Sequence, residues 1–150
     1  MWRVTYPGKV EGPRAEWVDY GTVCYRVVTD AGVAFIVDDM DNSATDITTL
    51  NYHGVGTGVT AESAAQTALV TESTTVLNPD STRATGTKSQ PSANILRSVG
   101  TLTFDGSAAI TEHGIFSQAA TGGGTLLDRS LFAAINVAAA DSINLCGFAA

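Results

Sequence analysis

At 150 residues with two cysteines, the chain is long enough to bury a core as one domain without disulfide staples. Only 15% of it is charged, against roughly 25% in ordinary globular chains, which suits a surface covered by partners. The net charge of −7 and eight scattered basic residues argue against nucleic acid or an anionic membrane as a direct ligand.

No apolar run approaches the length of a spanning helix. Pro7, Gly12 and Pro13, together with Glu11, Glu16 and Asp19, break any signal-peptide pattern over residues 1–30. Residues 1–20 hold Trp2, Tyr6, Trp17 and Tyr20 among turn-forming residues and show no period. They are expected to form an extended N-terminal arm whose four aromatics anchor an interface. A loop lying over the chain's own sheet is the alternative.

Residues 21–150 are expected to form a single β-rich domain. Thr22 to Val28 alternates as a strand. Thr29 or Asp30 can cap a short helix with Val33, Ile36 and Val37 on one face, with a buried strand over 33–37 as the competing reading. Leu50 to Val55 reads as a strand closed by Gly54, Gly56 and Gly58, where the backbone turns or approaches another segment. Ala61 to Glu72 is expected to be a short helix weakened by its Thr and Ser. Asn78-Pro79-Asp80-Ser81 is a turn, Ile95 to Phe104 a long strand, and Asp105-Gly106 a hairpin turn into a strand over 109–116. Gly122-Gly123-Gly124 breaks the chain before Leu126–Val137, where Leu127, Leu131, Ala133, Ile135 and Val137 give the cleanest alternation. Strands at this spacing predict a mainly β fold, an antiparallel sandwich or barrel with one or two short helices.

The search for chemistry returns little. No GxSxG, P-loop or HExxH occurs, and Gly54-Val55-Gly56-Thr57-Gly58 lacks the Lys-Ser/Thr ending of a phosphate loop. In an EF-hand frame begun at Asp39, Ala44 replaces the required Gly and Leu50 the bidentate Glu, so a solvated acidic loop is expected over Asp38–Ser43. His53 and His113 sit in strand-like apolar text and read as hydrogen-bonded structural histidines. Glu112 and His113, as strand neighbours, are expected on opposite faces. Asp128-Arg129 reads as half of a surface or interface ion pair. Neither catalytic residues nor a metal or cofactor are expected, and Cys24 and Cys146 are expected to stay unbridged as small buried hydrophobes.

An ordered series runs from Thr29-Asp30-Ala31-Gly32-Val33-Ala34-Phe35-Ile36-Val37-Asp38-Asp39 to Leu50-Asn51-Tyr52-His53-Gly54-Val55-Gly56-Thr57-Gly58. It continues through Thr67–Glu72, Ala109–Phe116 and Leu126–Phe132 to Ala134-Ile135-Asn136-Val137 and Asp141-Ser142-Ile143. In order and spacing the series resembles a family of small virion proteins of tailed bacteriophages, over about residues 22–145. The family offers no catalytic residues to transfer. Its pattern has a final alternating strand opened by Asp-Ser-Ile. Here Ile143-Asn144-Leu145 is followed by Cys146-Gly147-Phe148-Ala149-Ala150, which does not alternate cleanly.

The resemblance implies a virion structural protein, located in the virion and assembled in the host cytoplasm. A capsid decoration or cement protein is expected first, a homotrimer contacting the major capsid protein. A tail, baseplate or fibre-associated protein bound to other tail proteins is the alternative, and a β-sandwich stacking host glycans on exposed Trp and Tyr is a third reading.

Overall fold

The computed structural model describes residues 3–7, 19–41 and 45–149. The strands are β1 (Arg3–Pro7), β2 (Asp19–Tyr25), β3 (Val27–Val28), β4 (Tyr52–Gly56), β5 (Ala84–Thr85), β6 (Thr87–Ser92), β7 (Ile95–Thr103), β8 (Ala108–Phe116), β9 (Leu126–Val137) and β10 (Ser142–Ala149), with one helix, α1 (Asp30–Met40). The first sheet runs β2-β1-β10-β7-β6 and the second β3-β9-β8-β4-β5. All their pairings are antiparallel. The fold is mainly β and sandwich-like, and its sheets do not close into a barrel.

Val55, Leu102, Phe104, Ile110, Ile135 and Leu145 belong to the main core cluster, which draws on strands of both sheets. The chain switches sheets at both edges, through Arg26 between β2 and β3 and through Gly86 between β5 and β6. A side chain at such a corner has the space between the layers in front of it.

The arm expected over residues 1–20 is in part a sheet component. Arg3–Pro7 lies between β2 and β10, and Asp19 and Tyr20 already belong to β2. Tyr6 and Tyr20 thus take backbone positions in β1 and β2, while Trp2 and Trp17 lie outside the described residues. Spacing could not reveal the place of β1, because one of its two partners, β10, is the most distant strand in sequence. The closing strand does form: β10 pairs with β7 along all eight residues from Ser142 to Ala149 despite its poor alternation.

Helix α1 starts where Thr29 was expected to cap it. The Thr29 hydroxyl oxygen accepts from Gly32 N–H at 3.0 Å, and its backbone N–H donates to Leu127 O at 3.0 Å. That second bond pins the helix to β9 and turns Phe35 and Ile36 onto Leu50, Ile115 and Leu127. Of the three residues expected inward, only Ile36 packs. Val33 and Val37 are 50% and 55% exposed. A Cβ at Gly32 would lie 2.6 Å from Leu127 O and 2.7 Å from its Cα. Gly32→Ala should therefore lower the melting temperature, although the same change in a free helix gains about 1 kcal/mol. A rise in melting temperature would show that α1 can lift away from β9.

Two other expectations are corrected. Asp105-Gly106 does turn the chain, but it carries it from β7 in one sheet to β8 in the other and makes no hairpin. Residues 61–72 are irregular and form no helix. Their backbone bonds go elsewhere: Val70 and Thr71 donate to the Glu112 carboxylate, and Thr60 O accepts from Arg129. This segment covers one face of β8 and β9. That is why Leu126–Ser130 is buried on both faces, and why alternation shows only near Ile135 and Val137.

Candidate functional site

The most concentrated chemistry lies between the sheets. Arg26, entering from the β2–β3 corner, donates to Asp128 on β9 and to Nδ1 of His113 on β8. His113 Nε2 is 3.0 Å from His53 Nδ1, and the two rings stack with centroids 5.1 Å apart. His53 Nε2 is 2.9 Å from Ser98 Oγ on β7, and Ser98 Oγ is 3.3 Å from Asn51 Oδ1. Asn51 Nδ2 donates to Gly86 O at 2.6 Å, at the other corner. Gly100 leaves the room for this row, since a Cβ there would stand 2.7 Å from the His53 ring.

Direction along the row is fixed at one end. A guanidinium only donates, so His113 Nδ1 must accept and His113 carries its proton on Nε2. His53 Nδ1 then accepts, its Nε2–H donates to Ser98, and the Ser98 hydroxyl donates to Asn51 Oδ1. Both imidazoles are neutral: burial, followed by the nearby Arg26 charge, lowers His53 to about 3 and His113 well below its ordinary value. Burial pushes the Asp128 carboxyl up, opposed by Arg26.

A Ser–His contact of 2.9 Å invites a nucleophile–base reading. The proton order forbids it, because the His53 atom facing Ser98 already bears a hydrogen. Ser98 should therefore stay unlabelled by a fluorophosphonate probe under conditions that fully label a serine hydrolase. Stoichiometric labelling at Ser98 would reverse the assigned proton order. Burial likewise raises the Cys24 and Cys146 thiols, keeping them protonated. Both are free, on β2 and β10 with β1 between them. Two strand spacings of roughly 4.8 Å exceed disulfide reach.

A second cluster lies on the other face of β8 and β9. Glu112 and Arg129 are fully buried and paired at 2.7 Å. Glu112 also accepts from the N–H groups of Gly58, Val70 and Thr71, at 3.0, 3.0 and 2.8 Å. Arg129 donates to Thr60 O and Gln66 Oε1. The glycine string thus does serve an anion, and that anion is the chain's own carboxylate: a Cβ at Gly58 would lie 2.6 Å from Glu112 Oε1. A third pair, Arg83–Glu72 at 2.6 Å, lies against the Phe116 ring, with the Arg83 guanidinium carbon 3.4 Å from its centroid.

Glu112 and His113 do point to opposite faces, and both histidines are buried and hydrogen-bonded. Asp128-Arg129 is corrected. Neither side chain is at the surface, and each holds a different partner, Arg26 and Glu112. The clue in the sequence was that each of these charges stands in an otherwise strand-forming run. Which charge meets which depends on the sheet order, which no local pattern gives. The acidic stretch is corrected in part: Asp38–Met40 end α1 instead of opening a loop, Asp39 accepts from Ile47 N–H at 3.1 Å, and residues 42–44 lie outside the described part. Among the described residues, no group of three His, Cys, Asp or Glu side chains is placed to hold a metal ion. No family model, no curated protein and no solved structure matches this chain.

Proposed function

We propose that this chain is a structural subunit of a tailed-bacteriophage virion, acting through its surfaces, and within the virion a capsid decoration protein. The observation that carries the reading is an inversion of the usual enzyme pattern. The Arg26, His53, His113, Asp128, Glu112 and Arg129 side chains are turned inward, and their charges are paired within the chain. Large apolar side chains such as Val37 and Met40 are turned outward. Among its described residues, such a molecule offers contact area and presents these groups to no open cleft. The ordered resemblance over about residues 22–145 supplies the virion context.

Quantitative mass spectrometry of purified particles from the encoding virus tests it. Hundreds of copies per particle are expected. A dozen or fewer would move the protein to the tail, and absence from the particle would end the reading. Truncating the N-terminal residues is a poor test of the arm, because it removes β1 from between β2 and β10.

A further inference from the structure

Eight large hydrophobic side chains among the described residues are conspicuously exposed, and five of them share one face. Val33, Val37 and Met40, at 50%, 55% and 81% exposure, lie on α1, joined by Ile47 in the 3₁₀ turn Ile47–Thr49 and Leu96 on β7. At 100° per residue, the three α1 positions fall in one arc directly beside Ile36. Ile36 in turn lines a cleft of about 80 Å³ with Ile47, Leu50, Leu96, Ile115 and Leu127, which has room for a single aliphatic side chain. The helix stripe and the cleft mouth therefore form one apolar surface.

Among the described residues, the charged side chains of α1 have one sign. Asp30 and Asp41 are exposed at the two ends of α1, beside the stripe, and the last turn of the helix holds no basic residue. The negative pole of the helix thus has the Asp41 carboxylate beside it, where a cation would be favourable. The one lysine at the cleft, Lys88, already donates to Thr48 O. A second copy laid on this face would set carboxylate against carboxylate in a chain of net charge −7. We propose that this face docks a basic segment of a different protein, with Lys or Arg beside an aliphatic stripe and one aliphatic side chain seated in the cleft. The inference rests on the reading of the chain as an assembly subunit and names the chemistry of its partner.

Fluorescence anisotropy with two labelled synthetic amphipathic helices, one of Leu and Lys and one of Leu and Glu, tests it on the whole chain. The Leu/Lys peptide should bind and the Leu/Glu peptide should not. The exposed double substitution Val37→Asn and Met40→Gln should weaken binding at least tenfold, whereas Val59→Asn, 73% exposed elsewhere, should leave it unchanged. Absence of binding, or equal binding by the double variant, overturns the proposal. Self-association in the ultracentrifuge that the double variant abolishes also overturns it, by making a second copy the occupant. None of these outcomes touches the copy number in particles, so the surface and the virion reading fail separately.

Discussion

Glu112→Ala should cost about 3–5 kcal/mol of folding stability, the range for breaking a buried ion pair from one side. The carboxylate is completely enclosed and faces four donors: Arg129 and three backbone N–H groups. Removing it strands the guanidinium and leaves Gly58, Val70 and Thr71 without that acceptor. Segment 57–73 has no regular structure, so its attachment to the sheet depends on individual bonds: these, with Thr111 to Gly58 O, Leu131 N–H to Glu62 and Ser73 N–H to Val55 O. Glu112→Gln keeps one accepting oxygen and should fall between wild type and alanine. Urea unfolding followed by circular dichroism measures both, and hydrogen exchange should show residues 57–73 losing protection first. Since a domain is stable by only about 5–15 kcal/mol, the alanine variant should be close to unfolding at 37 °C. A loss below about 1 kcal/mol would mean that the segment is held by its apolar contacts, such as Leu69 on Phe116 and Leu126.

Acid should destabilise the chain progressively as pH falls below about 6.5. His53 and His113 are neutral in the folded chain, and burial depresses both far below the free value near 6.5. The unfolded chain takes up protons as pH falls through 6.5 while the folded one does not, so stability is full above that value and lost below it. Each histidine contributes about 1.4 kcal/mol per pH unit, so two units of acidification remove about 5 kcal/mol. Asp128 has the opposite sign: its raised folded value favours the folded state as pH falls, so it offsets part of the histidine loss. Chemical denaturation at half-unit steps measures the slope. Imidazole nitrogen shifts should report Nε2–H on both rings throughout the folded range. A flat profile from pH 7 to 5 would show that protons reach the pair without opening the sandwich.

The parts of this fold legible in the sequence are those decided within about ten residues. Thr29 announces α1 because capping is local, and Ile95 to Phe104 and Ala109 to Phe116 alternate or run apolar over lengths only a strand fits. The Asp105-Gly106 turn was visible, but its destination was not, since a tight turn looks the same whether it pairs two strands or passes between layers. Segment 61–72 was misread for a definite reason: helix propensity scores the backbone against water, while here Glu112 and Arg129 outbid the i→i−4 bonds. The row from Arg26 to Gly86 was the least legible feature. Its members come from corner, strand and loop positions distributed over about a hundred residues, and each looks ordinary in its own neighbourhood.

The position of β1 has a consequence for how the protein is made. Its two neighbours are β2, which follows it closely, and β10, which is synthesised more than a hundred residues after β2. At 5–20 residues per second, the β1–β2 ribbon waits roughly 6–25 s on the ribosome before its second partner exists. Throughout that interval, one side of β1 offers unpaired backbone groups to any other nascent chain. The long members of the second sheet wait less than half as long, since β8 follows β4 and β9 follows β8 before β10 is made. The long strands of sheet two can thus pair before β10 is made, and sheet one is completed only after it. Solubility in expression should therefore depend on how quickly the stretch from β2 to β10 is translated.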